Sequence, residues 1–318
     1  MTAGARRIIL LAAIGATFCV PGTARAQPWV LPAGEGAISI LYHHFFVEDH
    51  VFSRGERIDL GHVRTQLLTV EVEYGVTDRL SVRAWVPFVA TKYSGVNPHV
   101  HPANPSDFHV LDDGTTHAAF QDVRVEARYG WREFPVAIAP YLAVAVPTHD
   151  YEFFAHSAIG TGMAEVQLGA YAGVLRGPIS IQGRFAYAVF ERVAGYRRTR
   201  TIIDADVGWM ATPRVRLSVF QAAQVSHGGV ELHLEELRNG TISQNEWWVH
   251  HDQLGRASAL NIGGGVSLRL TPSVAMHGAV LTTLAGRNTH ASKYGLTIGS
   301  SWGFGGARPV HRSATQRP

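Results

Sequence analysis

The sequence predicts an all-β protein, a single antiparallel up-and-down transmembrane β-barrel of about twelve strands. Three observations predict it. Apolar residues recur at every second position in segments of roughly ten residues, the length that a strand needs to cross a bilayer. Short turns and longer loops alternate along the chain, as they do in outer-membrane barrels. Charged residues make up only 17% of the 318 residues, while glycine is frequent, with 33 residues.

The strongest alternation lies in residues 63–89, which predict a hairpin of two strands. Its apolar face carries Leu68, Val70, Val72, Tyr74, Leu80, Val82, Ala84, Val86 and Phe88. Its opposite face carries the charged residues Glu71, Glu73 and Arg83. A turn symmetric about Thr77 would place Glu71 opposite Arg83, and opposite charges stabilise such a cross-strand pair. A soluble β-sandwich also has two-faced strands, but it has no reason to alternate short and long connections so regularly.

The same pattern predicts the remaining strands and their connections. The further strands lie at about residues 37–46, 120–131, 136–147, 162–175, 179–190, 201–210, 215–226, 257–270, 274–283 and 293–304. Short turns are predicted at 75–79, 132–135, 176–178, 211–214 and 271–273, and longer loops at 47–62, 90–119, 148–161, 191–200, 227–256 and 284–292. Barrels of this class have short periplasmic turns, so both termini are predicted to lie in the periplasm. Aromatic rings beside these turns are expected to form a membrane-interface girdle, at Tyr74, Trp131, Trp209 and Trp302.

The N-terminus has the pattern of a secretory signal peptide. Arg6 and Arg7 precede a short apolar run, and Ala24-Arg25-Ala26 fits a cleavage site, so residues 1–26 are predicted to direct export to the outer membrane. Residues 27–36 are expected to form a periplasmic segment or a plug. Residues 37–304 are expected to form the barrel. Residues 305–318 are expected to be a disordered basic tail in the periplasm.

Charge and cysteine content exclude several classes of function. Arg6, Arg7 and Arg25 are the charged residues of 1–26, so their removal would bring the formal charge of +3 to zero. No basic patch remains to bind nucleic acid. The single cysteine, Cys19, lies in the predicted signal peptide, which excludes disulfides and cysteine-ligated metals from the mature chain.

The polar faces of the strands are expected to line the lumen of the barrel. The charged residues on them are Glu71, Glu73, Arg83, Arg124, Glu126, Arg128, Glu165, Arg184, Asp204, Asp206 and Arg216. Two interpretations are open: a mesh of salt bridges that fills the interior, or a charged constriction that sets the selectivity of a pore. A barrel of about twelve strands lies between small filled barrels and wide porins, so the lumen is expected to be a narrow channel or a plugged one.

Histidine is unusually frequent, with 17 residues. Most lie in the predicted outer loops: His50, His62, His99, His101, His109, His117, His149, His156, His227, His233, His250, His251 and His290. The His99-x-His101 pair and the adjacent His250 and His251 are candidate ligands for Zn²⁺ or Cu²⁺, since imidazole suits both ions. The plainer interpretation is that these are solvated loop residues. A pH-sensitive gate is a further alternative, because histidine titrates near neutral pH.

The hairpin also resembles a known family. The run Tyr74-Gly75-Val76-Thr77-Asp78-Arg79-Leu80 followed by Val86-Pro87-Phe88 is similar to the "YGxTDrLe…lPf" signature of outer-membrane transporters linked to the meta-pathway of phenol degradation. The segment from Asp122 to Tyr129 resembles the family's "GDv…kY" strand, and Val146-Pro147-Thr148 resembles its "lPTG" strand end. The sequence departs from the pattern at Gln121 and His149, where the family usually has glycine.

The resemblance implies uptake of hydrophobic or aromatic compounds across the outer membrane and brings no cofactor. We therefore expect a channel for passive uptake of small organic compounds, and not an enzyme. The expected partners are outer-membrane lipid, a small organic solute and the barrel assembly machinery, which would recognise the aromatic end of the last strand at Phe304. Three alternatives stay open: a metal-capturing protein with histidine-rich outer loops, a plugged structural barrel without transport, and a hydrolase with its site on the barrel wall.

Overall fold

The structure is a computed structural model that describes residues 27–95 and 111–305. The predicted signal peptide, nearly all of the predicted basic tail, and the candidate ligands His99 and His101 lie outside the described residues.

The described residues form one antiparallel sheet that closes on itself. Its strands are β1 (Gly36–Val51), β2 (Arg57–Ile58), β3 (His62–Thr77), β4 (Leu80–Ser94), β5 (Thr116–Phe120), β6 (Val123–Tyr129), β7 (Ala137–Val146), β8 (Glu165–Arg176), β9 (Ile179–Val193), β10 (Tyr196–Met210), β11 (Val215–Gly228), β12 (Ser258–Arg269), β13 (Val274–Arg287) and β14 (Thr289–Phe304). β14 pairs with β1 and closes the barrel. β2 pairs only with the end of β1 that lies opposite the short turns, which we call the outer end of the barrel. β5 and β6 both pair with β4 and form one wall strand. The wall therefore has twelve strands, which confirms the predicted fold.

In residues 27–95 and 111–305, helical structure is confined to the connection between β11 and β12. It comprises α1 (Leu234–Arg238), α2 (His251–Leu254) and two single 3₁₀ turns, Ile242–Gln244 and Trp248–His250. None of the helices in the described part of the chain has the length and apolar character needed to cross a bilayer.

The distribution of apolar side chains is inverted relative to a soluble protein. Large apolar side chains are exposed on the outward face of every wall strand, among them Ile40, Val70, Val86, Val125, Leu142, Leu168, Ile181, Val207, Val219, Val266, Val280 and Ile298. The buried inward positions include Thr65, Thr69, Glu73, Arg83, Glu126, Arg128, Gln167, Gln182 and Asp204. An apolar surface of this extent is stable against lipid, so the wall is of the membrane-spanning, outer-membrane type. The predicted girdle residues are all exposed near the ends with short turns.

The wall strand beside β4 is interrupted at Gln121 and Asp122. Pro87 of β4 has no N–H to donate to the ladder. Its carbonyl oxygen accepts a hydrogen bond from Gln121 N at 2.9 Å, and the pairing register with β4 shifts by one residue between β5 and β6. This is a β-bulge, and it explains why the strand predicted at 120–131 consists of two pieces.

Two of the predicted outer loops are wrong. β9 and β10 continue through most of residues 191–200 and are joined by a turn at Ala194 and Gly195, whose φ angles are 46° and 80°. β13 and β14 meet at Asn288, with φ of 46°, inside the predicted loop 284–292. The apolar alternation ends where a strand leaves the membrane, but backbone pairing continues beyond it with polar side chains. The hydrophobic pattern therefore underestimates strand length at the outer end.

The predicted pairing of Glu71 with Arg83 is also wrong. Arg83 lies opposite Glu73, and Glu71 lies opposite Trp85. The turn of this hairpin is tighter than predicted, and a bulge immediately precedes it, so the pairing is displaced from the register that a turn symmetric about Thr77 would give. The two-residue period of the sequence assigns a side chain to a face but does not reveal a bulge.

Candidate functional site: the barrel interior

The structure places the predicted lumen residues on the inward faces of β3, β4, β6, β8, β9, β10 and β11. They are Glu71, Glu73, Arg83, Arg124, Glu126, Arg128, Glu165, Arg184, Asp204, Asp206 and Arg216. Each of them forms an ion pair with a neighbour on its own or another strand. We call this set, together with Arg200, the charged belt.

Glu73 is the centre of the first group in the charged belt. One of its carboxylate oxygens accepts hydrogen bonds from Arg83 Nη2 at 2.6 Å and Nε at 3.1 Å, and the other accepts one from Arg128. Arg83 Nε also lies 3.3 Å from Glu71 Oε1, and the Trp85 indole N–H donates to Glu71 Oε2 at 2.7 Å. Both guanidinium groups are buried, so these charges neutralise one another where little water reaches them.

Glu126 is the centre of the second group and is fully buried. The Tyr171 hydroxyl lies 3.1 and 3.0 Å from its two oxygens, and Arg124 Nη2 donates to Oε2 at 3.4 Å. Arg128 Nε lies 3.6 Å from Oε1, which connects this group to Glu73. Arg124 also donates to Gln167 Oε1 at 2.7 Å, so the network continues to β8.

Two carboxylates of β10 pair with arginines of the adjacent strands. Arg184 Nε donates to Asp204 Oδ2 at 2.7 Å. Arg216 donates to Asp206 and, at 3.1 Å, to Ser180 Oγ. The acids and the bases of the belt therefore balance locally, mostly between neighbouring strands, and do not form separate positive and negative walls.

Sequence reasoning missed two arginines of β10. Arg200 Nη2 donates to Glu165 Oε2 at 2.8 Å. The guanidinium carbons of Arg198 and Arg200 lie 4.3 and 4.8 Å from the centroid of the Phe190 ring, within cation–π range. Both arginines lie in a segment predicted as a loop. Continuing the inward parity of β10 back toward its N-terminus would have identified them.

The inward faces of β12, β13, β14 and β1 have a different character. Their central positions carry mainly glycine, serine, threonine and apolar residues. Leu41 and Phe45 of β1 are buried there and lie over Gly299 and Gly295 of β14, where an added Cβ would overlap them. Phe220 of β11 lies over a glycine of β12 in the same way, at the border with the charged belt. We call this inner surface, with Phe220, the neutral strip.

Two connections fold over the outer end of the barrel, residues 147–164 between β7 and β8 and residues 229–257 between β11 and β12. Their apolar side chains pack with the end of β1 in one cluster, which contains Phe52, Phe154, Leu232, Leu234, Ile242 and Trp248. Deeper in the barrel, Ile159 packs against the inward-facing Leu67 and Val89. We call these two connections the outer cap.

Two carboxylates, of the buried Asp112 and the half-buried Asp252, hold the first connection of the outer cap in place. Asp112 Oδ2 accepts from His156 N at 2.9 Å, and Asp112 Oδ1 accepts from Ser157 N at 3.0 Å and Ser157 Oγ at 2.8 Å. Asp252 Oδ2 accepts from Ala155 N at 3.0 Å, which joins the two connections. These bonds satisfy backbone donors that would otherwise be buried without partners.

Tyr151 attaches the base of the same connection to the wall. Its hydroxyl donates to Asp122 and accepts from Gly162 N at 2.8 Å. Burial, reinforced by the Asp122 carboxylate, raises the pKa of Tyr151, so the phenol stays protonated and remains a donor.

Residues 27–35 lie across the end of the barrel that carries the short turns. Inward-facing glycines make room for them, and a Cβ would meet this segment at Gly75, Gly130 and Gly173. The carbonyl oxygen of Gln27 accepts a hydrogen bond from Arg128 Nη1 at 2.8 Å, and Gly34 N donates to Gly75 O at 2.9 Å. The segment therefore contacts β8, β6 and β3 before it continues into β1.

The candidate ligands His250 and His251 take part in the packing of the outer cap. His251 is buried, stacks on Trp248 with 4.2 Å between ring centroids, and its Nδ1 lies 2.6 Å from the Trp248 carbonyl oxygen. His250 Nδ1 lies 2.8 Å from Gln253 Oε1. Among the described residues, neither histidine belongs to a group of three potential metal ligands.

A different group of histidines converges under the outer cap. His50, His156 and His290 each offer one ligand atom, and these atoms all lie within 4.8 Å of one another. All three were predicted to lie in loops, but His50 and His290 are cross-strand neighbours on β1 and β14. No spacing in the sequence links the three positions, because they come from distant segments.

Comparison with known proteins gives both a family and similar folds. A family model described as "Putative MetA-pathway of phenol degradation" matches residues 61–302. The crystal structure of an outer-membrane channel from Pseudomonas putida F1 is similar, with a TM-score of 0.66 and 14% identity, and the match covers 87% of this chain and 98% of that one. At this identity, the likeness shows a shared barrel fold.

Two further solved barrels are similar at 9% identity. The NanC porin has a TM-score of 0.46, with 83% of this chain and 98% of that one covered. The β domain of the Bordetella autotransporter BrkA has a TM-score of 0.49, with 85% and 100% covered. No curated protein matches the sequence. The resemblance carried by the hairpin is confirmed, and because the family model spans well over half of the chain, the protein belongs to the MetA-pathway family of phenol degradation.

Proposed function

We propose that this protein is a passive outer-membrane channel for small organic compounds, aromatic or hydrophobic ones among them. The observation that carries the proposal is the division of the inner wall into a charged belt and a neutral strip. The acids and arginines of the belt pair with one another, so the interior has no large field of one sign that would attract ions. The neutral strip, on the part of the inner wall that the belt does not cover, offers apolar contacts to an uncharged solute.

Several further observations support the proposal. The family description refers to phenol degradation, and the similar barrel from P. putida F1 is described as an outer-membrane channel. The outward apolar surface suits a bilayer, and residues 1–26 have the pattern of an export signal. A cell that degrades an aromatic compound gains from a protein that lets the compound pass a poorly permeable outer membrane.

We propose a route that follows the apolar surfaces in order. A solute first contacts the outer cap at half-buried residues such as Phe153 and Trp247, and then moves along the neutral strip past Phe45 and Phe220. It leaves beside residues 27–35 at the periplasmic end. No energy source enters this mechanism, because each step is a partition between neighbouring apolar contacts.

Flux through the purified protein in lipid vesicles tests this proposal. Phenylalanine and serine are suitable probes, because both are zwitterions with no net charge and differ in the apolar ring. The full mature chain is expected to admit both faster than protein-free vesicles, with phenylalanine favoured. Phe45→Ser and Phe220→Ser should each lower the ratio of phenylalanine to serine flux severalfold, because they remove apolar contacts from the neutral strip.

The matched control is Gln182→Asn, which shortens a buried polar side chain on β9, away from the neutral strip, and should leave the flux ratio unchanged. Absence of flux for every probe would favour the alternative of a plugged structural barrel. That alternative rests on a specific observation: both the outer cap and residues 27–35 contact the inner wall.

A further inference from the structure

Three imidazole rings from distant parts of the chain meet under the outer cap. The ring centroids of His50 and His290 are 4.8 Å apart, those of His156 and His290 are 4.8 Å apart, and those of His50 and His156 are 5.2 Å apart. The planes of His290 and the other two rings are nearly perpendicular, at 74° and 85°. The rings therefore surround a common point and do not form a parallel stack.

The distances are close to those of a metal site. Zn–N bonds are about 2.0–2.1 Å, so two imidazole nitrogens on one tetrahedral ion lie about 3.4 Å apart. One potential ligand atom from each histidine lies within 4.8 Å of the other two. The two spacings differ by about 1.4 Å at most, and a shift of each ligand atom by less than about 1 Å closes that difference, which is within the reach of ordinary side-chain adjustment.

The backbone positions of the three histidines are well fixed. His50 and His290 are register neighbours in the seam where β1 and β14 close the barrel. His156 lies in the connection 147–164, where its N–H donates to the buried Asp112 carboxylate at 2.9 Å. Two of the three ligands therefore stand on paired strands, where metal sites are built more accurately than on loops.

The surroundings also suit a cation. Asp112 Oδ2 lies 3.9 Å from His156 Nδ1, and a carboxylate that accepts from the second ring nitrogen is the usual partner of a metal-bound histidine. His50 is buried, and His156 and His290 are partly buried, so the three rings are shielded from bulk water. Aromatic rings of Phe52 and Tyr93 border the site, at 4.7 Å from His50 and 5.6 Å from His156.

We propose that His50, His156 and His290 bind one divalent transition-metal ion, with Zn²⁺ as the representative of the class and Cu²⁺, Ni²⁺ and Co²⁺ as chemical relatives. Three imidazoles with an open fourth position for water form a known ligand set for these ions and a poor one for Ca²⁺ or Mg²⁺, which prefer oxygen. The ion ties connection 147–164 to the barrel seam and thereby fixes the outer cap. Asp112 acts as a positioning residue that orients the His156 ring.

The experiment is a Zn²⁺ titration of the full mature chain, untagged and refolded in detergent, against a chromophoric chelator. The wild type is expected to bind one Zn²⁺ per chain, and Co²⁺ is expected to give the visible absorption of a tetrahedral site. His156→Ala and His290→Ala should each weaken Zn²⁺ binding by at least about 100-fold, because each substitution removes one of the three imidazole ligands. Asp112→Asn should weaken it by about 10–100-fold, since it removes an outer partner and leaves the ligands.

His233→Ala is the matched control, because this cap histidine lies 2.8 Å from Ser53 Oγ and outside the group of three. Its Zn²⁺ affinity should equal that of the wild type. A measurement without variants covers the case in which a substitution prevents folding: Zn²⁺ should protect His50, His156 and His290 of the wild type from acylation by diethylpyrocarbonate, as read by peptide mass spectrometry. The proposal would be overturned if the wild type bound no Zn²⁺, or if Zn²⁺ binding survived His156→Ala. It would also be overturned if Zn²⁺ protected His99 and His101 from acylation instead.

Discussion

Glu73 accepts hydrogen bonds from two buried arginines, Arg83 and Arg128, so the charged belt depends on it more than on its neighbour Glu71. Removal of its charge would leave both guanidinium groups with less compensation in a region of low water content. Breaking a buried ion pair from one side is costly for this reason. Glu71 shares only Arg83, and its other partner is the neutral indole of Trp85.

We expect Glu73→Gln to lower the free energy of unfolding by about 3–5 kcal/mol. Glu71→Gln should have a smaller effect. Urea-induced unfolding in lipid vesicles, followed by tryptophan fluorescence, measures both. Glu235→Gln is the control, because its pair with Arg54 is largely exposed and should not shift the unfolding midpoint. Equal effects of the Glu73 and Glu71 variants would contradict the assignment of Glu73 as the centre of the group.

At the same scale, the sequence predicts the face of a residue well and its partner poorly. The parity of β3 and β4 assigns Glu71, Glu73 and Arg83 to one face, because side chains alternate with a fixed period of two. The bulge before the turn then changes which glutamate lies opposite Arg83. A bulge has no strong sequence signature here, so the register could only come from the structure.

Among the elements, residues 27–35 have the most direct consequence for passage through the barrel. They lie across the end of the barrel that carries the short turns, where Gly75, Gly130 and Gly173 leave room for them. The sequence predicts a periplasmic segment or a plug here, but its position against the wall depends on three glycines far apart in the chain. These glycines lie near one another only in the closed barrel, so their spacing in the sequence does not predict the position of the segment.

Deletion of residues 28–34 should raise the single-channel conductance in planar bilayers severalfold, because it removes the segment that contacts three parts of the inner wall. Replacement of the same residues by a glycine–serine stretch of equal length should give a smaller increase, since the chain remains but the contacts of Pro28 and Val30 are lost. Thr212→Ala, in the short turn between β10 and β11, is the control and should not change the conductance. An unchanged conductance after the deletion would show that this segment does not limit passage.

Outer connections are the elements that sequence reasoning describes least well. The predicted loops at 191–200 and 284–292 are mostly strand, because hydrogen-bonded pairing extends past the apolar belt. Because these segments are predicted as loops, the sequence predicts neither the inward position of Arg200 nor the pairing of His50 with His290. The hydrophobic pattern shows which part of each strand crosses the bilayer and does not show where the strand ends. Strand residues beyond the bilayer are therefore not predicted from it.

For the whole molecule, the apolar outer face of the barrel leads us to expect that the cost of a charged substitution there depends on its depth in the membrane. An arginine on the lipid face costs about 2–4 kcal/mol at the bilayer midplane and about 0–1 kcal/mol near the interfaces. Val70 and Val76 are both outward on β3, but Val70 lies within the apolar belt and Val76 lies beside the short turn. Val70→Arg should therefore lower the free energy of unfolding in lipid vesicles by about 2–4 kcal/mol, and Val76→Arg by no more than about 1 kcal/mol. The pair shares residue type, strand and face, so the difference between them isolates membrane depth. Equal costs, or a fully folded and water-soluble Val70→Arg variant, would contradict the membrane-spanning barrel itself.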